Sequence, residues 1–254
     1  MTTNVICRTT KLLTSDSRWS IECFDGQANL VAYVDNTGFD KLAVSSKFAM
    51  VFAGNAHLIE LWKGWFLKPT LDFQNPPPVV TLLKGAPAPV SVTIGIVEKA
   101  SANVIFAAGM FMSHGELARF SGSGAQFAKD CYAVNRCGRT AVGSAAKRDH
   151  FTGGETKFVE LETGKMNLSI MPGTCQDMIN ALHQRGFVMD TKAKTVTAIS
   201  DWKSPSSDAQ RAISAGIDTL SAPTGLPPHQ WSQQEQSDLF AALRHVAEQE
   251  GRLG

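Results

Sequence analysis

Thr2 and Thr3 follow Met1 directly. A threonine at a free N-terminus carries a nucleophile and a base on one residue. Its hydroxyl can attack a carbonyl carbon, and its own α-amine can take the proton. Only Met1 precedes Thr2 in the sequence, and its removal is expected to free that amine. Residues able to serve such chemistry recur downstream. They are Asp16 and Arg18 around Ser17, Lys41, the run Phe52-Ala53-Gly54, the run Gly122-Ser123-Gly124, and Arg148 to Gly154 with Asp149 and Thr152 inside it. Each is ordinary alone: an Asp-x-Arg is a common solvated hairpin end, and Gly-Ser-Gly is most simply a turn and helix cap. His57 and Glu60 stand at i, i+3 with no third ligand, so no metal and no cofactor is expected.

The elements that would position these residues are legible in outline. Val5 to Arg8 and Lys11 to Ser15 read as the arms of a β-hairpin turning at Thr9-Thr10. Pairing about that turn sets Thr2 opposite Ser17 and Thr3 opposite Asp16, and a one-residue slip would flip every side chain to the other face. Asp25-Gly26 signals a further turn. Phe39 to Ser45 and Phe48 to Phe52 are rich in β-formers. After Gly54 the period changes: Leu58, Ile59, Leu61, Trp62, Trp65 and Phe66 recur at helical spacing, with Asn55 as the N-cap. Pro76, Pro77, Pro78, Pro87 and Pro89 make the stretch from Pro69 to Pro89 mostly loop. Ser91 to Val97, Asn103 to Ala108 and Thr156 to Leu161 read as strands, and Gly122-Ser123-Gly124 opens a helix carrying Phe127, Cys131 and Val134.

The tail differs in texture. Gln176 to Gln184 reads as helix, while Ser204 to Ser207 and Ser221 to His229 read as linker. Ser232 and Glu235 form a capping box ahead of Leu239, Leu243 and Val246, the apolar stripe of a terminal helix.

At 254 residues the chain can bury a sizeable core as one large domain, or as one domain plus an extension. A net charge of +1 leaves no electrostatic footprint for nucleic acid. No apolar run is long enough to span a bilayer, and Arg8 and Lys11 interrupt any signal-peptide core, so no membrane partner is expected. Cys7, Cys23, Cys131, Cys137 and Cys175 are scattered and odd in number, which fits reduced thiols in a cytoplasmic protein.

In their order along the chain, the N-terminal Thr, Asp16-Ser17-Arg18, Lys41, Phe52-Ala53-Gly54, Gly122-Ser123-Gly124 and Arg148 to Gly154 together resemble the proteasome β-subunit family and its bacterial relatives, the N-terminal nucleophile hydrolases. The resemblance covers roughly Thr2 to Ile170. It implies an α+β fold, a four-layer αββα sandwich over residues 2–171, followed by a C-terminal extension over residues 172–254. It implies a threonine-type peptidase in a self-compartmentalising homo-oligomeric ring, acting on peptide or unfolded protein, with any unfoldase partner undefined. Thr2 would be the nucleophile and its α-amine the base. Lys41, paired with Asp16, would disfavour charge on that amine, with Arg18 beside the pair. The Gly54 N–H would donate to the oxyanion. Ser123, Asp149 and Thr152 would support the Thr2 amine, and Phe52 and Ala53 would line the substrate pocket. Two other functions share these residues: a catalytically silent assembly or binding protein, and a small-molecule amidohydrolase with the same nucleophile.

Overall fold

The computed structural model describes residues 2–22, 29–83, 88–109, 111–171, 173–202, 220–222 and 229–253. The expected turn at Asp25-Gly26, Pro87, and the linker at Ser204 to Ser207 lie outside the described residues, as does most of the Ser221 to His229 stretch.

One antiparallel sheet is built around the N-terminal hairpin, β1 (Asn4–Cys7) and β2 (Leu12–Ser15). It is flanked by β10 (Met112–His114), β11 (Ala118–Ser121) and β12 (Lys157–Glu160), in the order β10-β11-β1-β2-β12. The second sheet has ten strands, and its path runs β14-β13-β4-β3-β15-β6-β8-β7. These are β3 (Trp19–Glu22), β4 (Leu30–Val34), β6 (Phe48–Asn55), β7 (Val80–Thr81), β8 (Val90–Glu98), β13 (Phe187–Asp190), β14 (Thr195–Ala198) and β15 (Ser221–Ala222). Off this path, β5 (Leu42–Val44) pairs with β6 and β9 (Val104–Ala107) with β8. The helices are α1 (Ala56–Phe66), α2 (Ala125–Asn135), α3 (Gly138–Ala145), α4 (Cys175–Arg185) and α5 (Gln233–Glu250).

The four-layer αββα sandwich does not stand. Antiparallel β structure dominates, a ten-stranded and a five-stranded sheet, with five helices of only 8 to 18 residues among the described residues. The physical reasons are local. Prolines fill the stretch after Phe66, where among the described residues the two-residue β7 is the one strand to form before β8. A break at Arg136 and Cys137 divides α2 from α3, with Arg136 in the left-handed region at φ 54°. The tail adds three strands to the larger sheet.

Alternation assigns the strand side chains. Val5 and Cys7 point to a core shared with α2 and α3, while Ile6 points the other way, to a cluster with Leu13, Leu42, Ala49, Val51, Val97 and Val159. On β6, Ala49 and Val51 share that cluster, whereas Phe48, Met50 and Phe52 enter a large core with α1, α4 and α5. Both faces of β6 are therefore apolar, which is why Phe48 to Ala53 reads as a continuous hydrophobic run.

Both predicted caps are present. The Asn55 side chain accepts from the Leu58 N–H, and Ser232 with Glu235 closes a full capping box on α5. The stripe Leu239, Leu243 and Val246 is buried within the chain's own core. So are Trp62, Trp65 and Phe66, at 0, 3 and 0% exposure. The Trp62 and Trp65 indole N–H groups donate to the Pro78 and Asp72 carbonyls, each at 3.0 Å. These aromatics therefore need no neighbouring subunit to cover them. Among the described residues, no helix is long and apolar enough to cross a membrane.

Candidate active site

The hairpin brings the N-terminal threonines against Asp16. The register pairs Asn4 with Ser15, and the Asp16 N–H donates to the Thr3 carbonyl at 3.2 Å, which carries the pairing one residue further. Thr3 thus faces Asp16, as the residue count about the turn requires.

Asp16 is 2% exposed and is a hub. Its Oδ1 accepts from the Thr2 hydroxyl, from the Thr3 N–H at 2.9 Å and from Lys41 Nζ at 3.0 Å. Its Oδ2 accepts from the N–H groups of Arg18 at 3.1 Å and Gly153 at 3.2 Å. With both oxygens engaged, the carboxylate cannot rotate, and it fixes the hydroxyl and the ammonium relative to one another. Lys41 donates a second bond to the Arg18 carbonyl at 2.6 Å. Burial pushes the Lys41 ammonium below the ordinary lysine range, and the adjacent Asp16 carboxylate pulls it back. Its Nζ also lies 5.2 Å from the centre of the Trp19 ring.

A second network adjoins the first. Asp149 Oδ2 accepts from the Ser123 hydroxyl at 2.5 Å and from the Thr152 hydroxyl at 2.6 Å. Thr152 Oγ1 lies 2.7 Å from Thr3 Oγ1. Ser123, Asp149 and Thr152 are therefore brought together as expected of a support, and their side-chain contact with the N-terminal pair is through Thr3. Two glycines allow the approach. A Cβ on Gly122, whose φ is +89°, would sit 2.0 Å from the Thr2 carbonyl oxygen, and one on Gly124 would sit 2.0 Å from Thr3 Oγ1.

Arg18 turns its guanidinium away from this centre. It forms a bidentate pair with Asp35 at 2.9 Å on both arms and donates to the His150 carbonyl at 2.7 Å. Its contribution to the Asp16–Lys41 pair is made by its backbone N–H and carbonyl. Gly54, the last residue but one of β6, has φ +111°, and a Cβ there would lie 2.4 Å from the Ser91 carbonyl oxygen. It immediately precedes the Asn55 cap of α1, where the helix dipole favours negative charge. The strand is tied to the site twice: the Phe52 N–H donates to the Lys41 carbonyl at 2.9 Å, and Asn4 Nδ2 donates to the Phe52 carbonyl at 3.0 Å. Phe52 and Ala53 are fully buried, and the Phe52 ring belongs to the α1-side core.

Sequence reasoning missed Asp35, the Gly153 N–H that completes Asp16, and Trp19 beneath Lys41. Only Gly153, inside the quoted run before β12, left a signal. Among the described residues no group of three His, Cys, Asp or Glu side chains could hold a metal ion. No protein-family model matches the chain, and no curated protein matches it.

Proposed function

We propose that this chain is a threonine-type hydrolase that cleaves amide bonds in peptides, with Thr2 as nucleophile once its α-amine is free. The observation that carries the reading is the shared carboxylate. Asp16 accepts from the Thr2 hydroxyl and from Lys41, whose side chain is 0% exposed, so a nucleophilic oxygen and a buried cation are held on one oxygen atom.

The chemistry follows from those positions. The Thr2 oxygen bonds to the substrate carbonyl carbon while its proton passes to the α-amine, whose reference pKa of about 7.7 suits a base near neutral pH. The leaving nitrogen takes that proton, and an ester to Thr2 remains. Water, deprotonated by the same amine, then releases the acid. Lys41 lowers the cost of negative charge on the Thr2 oxygen and raises the cost of protonating the amine. The Gly54 N–H is assigned to the oxyanion by resemblance and by its place at a helix start. The described cysteines Cys7, Cys131, Cys137 and Cys175 are free thiols, in keeping with a reducing cytoplasm. Ring assembly remains part of the proposal through the resemblance alone, because the aromatic run on α1 is covered within the chain.

One observation favours a second reading, a catalytically silent binding protein: Thr2 is 0% exposed. A substrate could not reach its hydroxyl without a change at the N-terminus. Intact mass and an electrophilic threonine-directed probe decide between them. The first reading expects a chain that begins at Thr2, labels there, and loses both label and hydrolysis in Thr2→Ala. A retained Met1 together with an unlabelled Thr2 would establish the second.

A further inference from the structure

Residues alternate along β1. Val5 and Cys7 turn to α2 and α3, while Ile6 turns to the larger sheet and meets Ala49 and Val51 of β6. Asn4, two residues before Ile6, turns the same way and is 1% exposed. Its Nδ2 donates to the Phe52 carbonyl on β6 at 3.0 Å and to the Ser121 hydroxyl on β11 at 3.2 Å. Its Oδ1 is buried and has no hydrogen-bond partner among the described residues. Asn4 lies two residues after Thr2, and Phe52 lies two residues before Gly54. One side chain therefore ties the strand that follows the nucleophile to the strand that leads to the assigned oxyanion donor, and the two strands belong to different sheets.

We infer that Asn4 is a positioning residue, which fixes the strand of Thr2 against the strand of Gly54 so that the attacking oxygen and the oxyanion donor keep one separation. The inference rests on the hydrolase reading and adds to it a residue outside the reacting groups. Its bond to Phe52 closes a circuit. Asn4 pairs with Ser15 in the hairpin, and the next residue, Asp16, holds Lys41 at 3.0 Å. The Lys41 carbonyl accepts from the Phe52 N–H at 2.9 Å, and the Phe52 carbonyl returns to Asn4. The N–H and C=O of one residue point to the same edge of an antiparallel strand, so both groups of Phe52 are taken on the edge of β6 that faces Lys41. Two features separate this role from plain stabilisation. A buried carboxamide with its oxygen unpaired is a poor stabiliser, because the missing bond offsets part of what Nδ2 contributes. The side-chain bonds of Asn4 also go to neither Asp16 nor Lys41, so opening the circuit at Asn4 leaves the Asp16–Lys41 pair and the Thr2 hydroxyl bonded as before. Loss of the Phe52 bond should therefore act where negative charge moves onto the substrate oxygen, and not on the proton affinity of the α-amine. A displacement on the order of 1 Å is enough to slow such a step by about 10²-fold.

The test uses the full chain with its N-terminus freed and a peptide β-lactone as the probe. Thr2 Oγ1 bonds to the lactone carbonyl carbon, the ring C–O bond breaks, and the hydroxyl proton passes through the α-amine to the released alkoxide. Nothing leaves, so intact mass rises by the whole probe and its growth gives the acylation rate. Asn4→Leu keeps the volume and removes the donor. It is expected to lower the saturated acylation rate by about 10-fold or more. The half-saturating probe concentration should not change, and the pH midpoint of the rate, which reports the amine, should not move. Ser121→Ala leaves the Phe52 bond in place and is expected to acylate as the parent does; a loss there as large as in Asn4→Leu would overturn the inference. So would the parent's rate in Asn4→Leu, or a slowed rate with a shifted pH midpoint, which would place Asn4 with the Asp16–Lys41 pair. Should Asn4→Leu not fold, Asn4→Ser, too short to reach the Phe52 carbonyl, is held to the same expectations. Failure of both to fold would make Asn4 a structural residue and overturn the inference as well. Failure of the hydrolase reading looks different. A parent that the lactone never acylates at Thr2 removes the enzyme and this role with it, whereas a parent that acylates beside an indifferent Asn4→Leu keeps the enzyme and removes Asn4 alone.

Discussion

Lys41 and Lys63 are both buried, at 1 and 6% exposure, and both lie against one aromatic pair. Trp19 and Phe39 stack with centroids 5.0 Å apart; Lys41 Nζ sits over the Trp19 ring and Lys63 Nζ over the Phe39 ring, the latter at 4.6 Å. Their polar partners differ. Lys41 has the Asp16 carboxylate at 3.0 Å, whereas Lys63 donates to the backbone carbonyl of Asp40 and has carboxylates only at longer range. Burial pulls Lys63 down to about 8, and the more distant Asp40 resists only weakly. Burial lowers both lysines; the difference is that a bonded carboxylate opposes it directly at Lys41, whereas Lys63 has a backbone carbonyl and carboxylates only at longer range.

The sharpest way to break this comparison is to remove each ammonium. Lys41→Met should lower turnover by on the order of 10² or more, as loss of a preorganised charge does. It should also destabilise the fold by about 3–5 kcal/mol, because Asp16 is left as a buried charge without its cation. Steady-state kinetics and denaturant titration check both; unchanged turnover would remove Lys41 from the site. Lys63→Met should do the opposite to stability and leave turnover unchanged. Moving a lysine from 10.5 to about 8 costs on the order of 3 kcal/mol at neutral pH. That cost is full below pH 8, where the ammonium is charged in both states. It falls as pH rises from about 8 towards 10.5, where the folded chain has already released the proton and the unfolded chain has not. The advantage of Lys63→Met should therefore shrink over that window, and a pH-independent difference would contradict the assignment. The smallest effect sharpens the shared element: a double-mutant cycle of Phe39→Leu with Lys63→Met should show coupling of about 0.5–1 kcal/mol. No coupling would mean that the ring does not stabilise the ammonium.

The sequence made the local part of this site legible. The turn at Thr9-Thr10 and the length of the hairpin arms set Thr3 against Asp16 without any knowledge of the rest. Asn55 and Ser232 were readable as caps because a cap is decided within three residues. Lys41 is singled out by the resemblance, and nothing in the residues around Lys63 on its helix marks it as buried. The architecture was not legible to the same depth. The predicted helix-rich sandwich gave way to a sheet-dominated fold, since strands such as Phe187–Asp190 and Thr195–Ala198 lie in a polar tail with weak alternation. Their partners are set by long-range pairing. Val188 opposite Ala32 is a contact across about 150 residues, and no window of sequence encodes it. Asp35 escaped for the same reason: its value lies in meeting Arg18 across the β3–β4 pair.

The place of β15 also has a consequence for how the chain is made. Residues 221–222 join strands that end at residues 22 and 55, so the centre of the larger sheet is closed by a segment that leaves the ribosome long after both flanks. Until residues 221–222 have been synthesised, β3 and β6 cannot be bridged by their native partner. The nascent protein would carry that join unbridged until then, and a chaperone that binds extended apolar edges would meet it there first.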